Sequence, residues 1–155
     1  MSAYFDSSVI TKWYLPEPDS AAALRLRARF RPPAPLTHLH RVELATAWQL
    51  KVFRRELTGS IVTRALLDLA TDVQAGVWTT PAYDLAEVHR RAESVALAFA
   101  ATLGVRTLDI LHVAAAVSIG AHDFVTNDER QARLAAAAGL RVQRLHRARK
   151  GGKAP

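Results

Sequence analysis

The sequence predicts an α/β fold in which a mostly parallel sheet is covered by helices on both faces. Three observations predict it. Short apolar runs recur along the chain, and most are followed by a segment with helical spacing. Glycine or proline stands at many of the boundaries between them. One segment, Thr107 to Val117, is apolar on nearly every side, which suits a helix buried inside a domain.

Taken in order, Ala3-Tyr4-Phe5 is too short for a helix and reads as a first strand ending at Asp6. Ser7 to Tyr14 is a helix stopped by Leu15-Pro16-Glu17-Pro18. Asp19 or Ser20 caps a second helix that continues to Phe30, and Arg31-Pro32-Pro33-Ala34-Pro35 is a rigid connector. Leu36-Thr37 is read as a brief strand. Leu39 to Arg55 follows as a helix with Leu39, Val42, Ala45 and Trp48 at helical spacing. Ser60 to Ala75 is another, striped by Ile61, Ala65, Leu69 and Val73 and ended by Gly76. Val77-Trp78-Thr79 is a strand, and Tyr83 to Leu103 a long helix closed by Gly104. Val105-Arg106 reads as a strand remnant before the buried helix. Asp123 to Thr126 is a strand, Asn127 to Ala138 a helix stopped by Gly139, and Leu140 to Leu145 a final alternating strand.

The chain of 155 residues is expected to form one domain over 1–146, followed by a basic, disordered tail at 147–155. It has no cysteine, which excludes disulfides and thiolate zinc sites and fits a reducing cytoplasm. Neither a signal peptide nor an apolar run of about 20 residues is present, so no membrane association is expected. A net charge of +7 and a pI near 10.5 favour polyanionic partners, nucleic acid first.

Four carboxylates stand out by position. Asp6 and Asp128 follow strands, where ligands of parallel sheets bind. Each also has a local reading: Asp6 as a cap of the next helix, and Asp128 within a Thr126–Glu129 capping box. Asp109 sits in the first turn of the apolar helix, after a Thr107 cap. It either complements the helix dipole or carries chemistry into the core. Glu43 shares a helical face with Leu39, Ala47 and Leu50, where a solvated glutamate does not belong. Gathered together, these oxygens suit a hard ion such as Mg²⁺ or Mn²⁺, which can activate water for phosphodiester hydrolysis.

The segments Tyr4-Phe5-Asp6-Ser7-Ser8, Val42-Glu43-Leu44-Ala45, Arg106 to Ala114 and Val125-Thr126-Asn127-Asp128-Glu129-Arg130 resemble, in order, the signature of PIN-domain proteins. The nearest likeness is to the VapC toxins of bacterial toxin–antitoxin pairs, and it extends from Tyr4 to Leu145. The resemblance implies a three-layer α/β/α fold with a central, mostly parallel sheet of about five short strands. It also implies an Mg²⁺- or Mn²⁺-dependent endoribonuclease, a homodimer, inhibited by a cognate antitoxin. By position, Asp6, Glu43, Asp109 and Asp128 are then the acidic site, with Ser7 and Thr126 as small hydroxyls beside the metal.

His112 has two readings, a contact to substrate or metal-bound water and a structural hydrogen-bonding residue. His38 and His40 precede Glu43 and have two readings, a transition-metal site and exposed loop histidines; the carboxylate set argues for a harder ion and so for the second. Trp13, Trp48 and Trp78 are candidates for stacking on bases, although Trp48 falls in a packing stripe. Arg25, Arg27, Arg29 and Arg31 step by two and spread around their helix as a solvated or RNA-holding face. The alternatives to a toxin ribonuclease are a noncatalytic nucleic-acid- or protein-binding module and a housekeeping RNA-processing nuclease.

Overall fold

The computed structural model describes residues 2–145, so the basic tail read at 147–155 lies outside the described residues. Five strands and seven helices alternate among them: β1 (Ala3–Phe5), α1 (Ser7–Tyr14), α2 (Ser20–Arg27), β2 (Ala34–Pro35), α3 (His38–Phe53), α4 (Gly59–Gln74), β3 (Trp78–Thr79), α5 (Leu85–Leu103), α6 (Thr107–Ser118), β4 (Asp123–Val125), α7 (Glu129–Ala137) and β5 (Arg141–Gln143).

All strand pairs are parallel, as expected. They form two ladders, one in the order β1-β4-β5 and one joining β2 to β3. Phe5 pairs with Val125, and the ladder runs one step further through the Asp6 N–H, which donates to the Val125 carbonyl at 2.9 Å. Thr126 extends the β4–β5 ladder in the same way, donating to the Gln143 carbonyl at 3.2 Å. Asp6 and Thr126 therefore stand side by side where the strands end.

The alternation of β1 divides the interior. Ala3 and Phe5 face a core built by α1, α2, α3 and α4, around Val9, Ile10, Leu36, Leu44 and Trp48. Tyr4 faces the opposite core, built by α5, α6 and α7 around Val113, Ala114, Phe124 and Leu134. A strand buried on both faces needs no polar alternation, which is why Ala-Tyr-Phe carries none. The small residues Ala114, Ala115 and Ala116 are buried and let α6 sit closely against its neighbours. Trp48 is fully buried and donates from Nε1 to Thr11 Oγ1 at 3.0 Å, so its polar edge is satisfied inside the core.

Several boundaries differ from the sequence reading. The second strand is Ala34–Pro35 within the expected connector. The Leu36-Thr37 segment instead leads into α3, with Thr37 Oγ1 accepting from the His40 N–H at 3.3 Å. Proline is tolerated there because a strand paired on one side leaves its nitrogen outside the ladder. Val105-Arg106 is not a strand. Arg106 is the extended cap of α6, so Thr107 is its first residue and not its cap. The buried face of α3 is His40, Leu44 and Trp48, whereas Val42 is 67% exposed. The stripe read from Leu39 and Val42 therefore lies one position off the true core face. Gly104 ends α5 in the left-handed conformation at φ 63°, which glycine enters without a Cβ penalty. Among the described residues no helix is long and apolar enough to cross a membrane.

Candidate active site

Asp6 occupies the cap position of α1, yet no helix N–H reaches its carboxylate. Ser8 Oγ donates to it instead, and the Gln131 amide favours its charged form. The side chain is only 7% exposed. Burial, assisted by the nearby charge of Glu43, pushes its pKa above the ordinary carboxylate range despite those donors. Nothing in the local helix start explains such a residue.

Helix α3 carries Glu43 close enough to Asp6 for the two carboxylates to repel, and His112 of α6 is hydrogen-bonded to Glu43. His112 is 1% exposed, with Nε2 lying 2.5 Å from Glu43 Oε2 and Nδ1 lying 2.8 Å from the Tyr4 hydroxyl. Tyr4 keeps its proton, because burial drives its pKa well up. In the simplest assignment the Tyr4 O–H donates to Nδ1 and the Nε2–H donates to Glu43. Burial alone would raise the pKa of Glu43. The hydrogen bond from His112 outweighs it, and Glu43 is held below its ordinary value. Ser7 Oγ is buried without a formed hydrogen bond, although it lies near enough to Glu43 to favour the charged carboxylate.

His40 lies beneath this group. Both its ring nitrogens are engaged: the Thr37 N–H donates to Nδ1 at 3.0 Å, and Nε2 donates to the Phe5 carbonyl at 2.8 Å. A ring that accepts at Nδ1 is neutral, and burial holds its pKa well below the ordinary value in agreement. Its ring lies 4.5 Å from Tyr4 and 5.0 Å from His112 between centroids. The expectation of an exposed loop histidine is therefore corrected at His40, which is fully buried in α3, while His38 is exposed. Its hydrogen bond to Phe5 ties α3 to the strand that carries Asp6.

Asp109 and Asp128 are more local. Asp109 Oδ2 accepts from the Arg106 N–H at 3.0 Å, closing the first turn of α6. Asp128 Oδ1 accepts from the Arg130 and Gln131 N–H groups at 2.8 and 3.0 Å, so Asp128 and not Thr126 caps α7. Thr126, fully buried, instead accepts the Asp128 N–H on Oγ1 at 3.1 Å and orients that cap. Each aspartate uses one oxygen in these bonds. Asp128 lies two residues beyond Thr126 on the Asp6 edge, and Asp109 shares a side of α6 with His112. Among the described residues no three His, Cys, Asp or Glu side chains are grouped closely enough to hold a metal ion.

Tyr4 and Gln131 escaped sequence reading. Tyr4 carries no signal beyond being the one polar-tipped residue of β1. Gln131 resembles an ordinary first-turn residue, yet it is 2% exposed and its Oε1 is buried without a partner.

Residues 3–137 match the model of the PIN domain, most of the chain. The chain belongs to the PIN-domain family. PIN domains are generally nucleases that use divalent metal ions. Among solved structures, this PIN domain is similar to FitAcB from Neisseria gonorrhoeae, with a TM-score of 0.64 and 17% identity over 92% of this chain and 96% of that one. That likeness is one of fold. No curated protein matches this chain significantly.

Proposed function

We propose that this PIN domain is an Mg²⁺- or Mn²⁺-dependent endoribonuclease and the toxin of a VapBC-like toxin–antitoxin pair. The observation that carries the reading is the meeting of Asp6 and Glu43 at the C-terminal end of β1, with His112 holding the glutamate. Magnesium is commonly bound by one or two carboxylates, its remaining positions going to water and substrate phosphate. Two neighbouring carboxylates, one of them hard to ionise chiefly because it is buried and further because of the other's charge, fit that requirement.

Asp6 and Glu43 would hold the ion, and by family position Asp109 and Asp128 complete the acidic set. Such an ion supplies Lewis acidity toward a phosphodiester and eases deprotonation of water. The chain's own residues do the rest. Ser8 and Gln131 orient Asp6, the Tyr4–His112 pair fixes Glu43, and Thr126 sets Asp128. Ser7 offers a further hydroxyl beside Glu43. The net charge of +7 retains a polyanion that the acids would otherwise repel.

An RNA substrate and an antitoxin imply a cytoplasmic setting. The antitoxin and homodimer readings rest on the likeness to VapC toxins, and Val42 and Phe53, 67% and 82% exposed, provide apolar surface for protein contacts.

One observation favours a second reading, a noncatalytic binding module: Asp109 and Asp128 both bond their own helix starts. That module would bind RNA with steep salt dependence and no metal-dependent turnover. Purified protein with end-labelled RNA decides between them. Cleavage that requires Mg²⁺ or Mn²⁺ and is lost in Asp6→Asn supports the nuclease, whereas equal cleavage by wild type and variant reveals a contaminant and removes it. Growth arrest on induction, relieved by the neighbouring gene and accompanied by new RNA 5′ ends, tests the toxin assignment against a housekeeping role.

A further inference from the structure

Away from the acids, α1, α2 and the β2–β3 ladder enclose a cavity of about 410 Å³. Four rings wall it: Phe5, Trp13, Phe30 and Trp78. They are already set against one another. Trp13 stacks on Trp78 with centroids 5.1 Å apart, and Phe5 meets Trp13 and Phe30 edge-on at 4.8 and 5.3 Å. Both indole donors are consumed internally, Trp13 by the Ala23 carbonyl at 3.2 Å and Trp78 by the Tyr14 hydroxyl at 2.6 Å. Phe5 and Trp78 are almost wholly buried, so the ring surface left to the cavity is that of the partly buried Trp13 and Phe30, with no free indole donor for polar readout.

The rim is cationic. Arg27 and Arg31 line the cavity, and an adjoining hollow of about 340 Å³ shares Phe30 and Arg31 and adds Arg29. Arg27 is partly committed, 5.0 Å above the Trp13 ring and 3.3 Å from Asp72. Arg29 and Arg31 are exposed, and their side chains make no hydrogen bond or ion pair among the described residues. The carboxylate in the adjoining hollow, Asp123, is already neutralised by Arg141 at 2.5 and 2.9 Å. A basic ligand is repelled here, and a purely apolar one leaves two cations unmatched. A flat ring joined to a phosphate satisfies both halves.

We propose that this cavity binds a nucleotide, its base against Trp13 and Phe30 and its phosphate on Arg29 and Arg31. Asp123 and Arg141 open their strands, so the adjoining hollow marks the edge of the sheet opposite to Asp6. A three-residue strand separates the two edges by about 10 Å. The site is thereby independent of the acidic group and of the nuclease reading.

The test is titration of tryptophan emission with adenosine 5′-monophosphate, with a ten-nucleotide single-stranded RNA in EDTA, and with inorganic phosphate. Saturable quenching by the nucleotide is expected. It should weaken at least tenfold in the double variant Arg29→Glu/Arg31→Glu, whose exposed positions leave folding intact, and persist in Asp6→Asn. Tighter binding of the oligonucleotide identifies an RNA strand as the source of the base, and tighter binding of the monophosphate identifies a free nucleotide. Absence of quenching, equal competition by inorganic phosphate, or indifference to the arginine reversals overturns the proposal. So does loss of binding in Asp6→Asn, which would move the ligand to the acids.

Discussion

His112 Nε2 lies 2.5 Å from Glu43 Oε2, joining α6 to α3 across 69 residues of sequence. The imidazole is buried and the carboxylate only half-buried, so the histidine is the fixed partner. In a metal site such a residue orients a ligand, and its loss typically costs about 10–100-fold in metal affinity or activity.

Replacing His112 with alanine is therefore expected to lower Mg²⁺-dependent cleavage by about 10–100-fold. It should also destabilise the fold by about 1–3 kcal/mol, since the Tyr4 hydroxyl is left buried without its partner. Tyr4→Phe keeps the ring and removes one hydrogen bond, so its cost is nearer about 1 kcal/mol. Cleavage rates alongside urea midpoints check the ordering, and equal effects of the two variants would contradict it.

Asp6→Asn should abolish cleavage while raising stability at neutral pH. The sign follows from the raised pKa of Asp6, chiefly from burial. A group that binds its proton more tightly when folded contributes less stability as pH climbs, so the ionised side chain is a cost at pH 7. Asparagine removes that cost and can still accept from Ser8. Each 1 kcal/mol gained raises Tm by about 2–4 °C in a chain of this size. A melting scan in metal-free buffer checks it.

Divalent metal should stabilise the wild type in proportion to occupancy, by about 2.7 kcal/mol at a hundredfold excess over Kd. Asp6→Asn and Glu43→Gln should lose most of that increment. Calcium and EDTA controls in the same scan separate site binding from general screening of charge.

Asp123 makes the opposite pH prediction. Its side chain is fully buried, and the Arg141 hydrogen bonds hold its pKa below the ordinary 3.8. A lowered folded pKa means stability that is fully present above the unfolded value and lost as pH falls through the folded one. Asp123→Asn should thus cost about 1–3 kcal/mol at pH 7 and progressively less below pH 4. Parallel denaturation at pH 7 and pH 3 measures the difference.

The sequence exposed the fold because apolar periodicity and helix stops are local signals. The positions proposed for the acidic site, Asp6, Glu43, Asp109 and Asp128, were picked out by equally local signals. What pairs with them was not. Glu43 looked misplaced on its apolar face, but its His112 partner is set by tertiary packing, and His40 became a core residue only through its bond to the Phe5 carbonyl. The exact core face of α3 was missed because Leu39, Val42 and Leu50 read as interior while the true stripe contains a histidine.

The β1–β4 pairing has a consequence for how the molecule comes into being. Residues 3–5 wait for residues 123–125 before they have a neighbouring strand. A ribosome must therefore make nearly the whole domain before Asp6 has its finished surroundings, and such distant closure is intrinsically slow. Fragments released early lack the edge on which Asp6 and Asp128 are set.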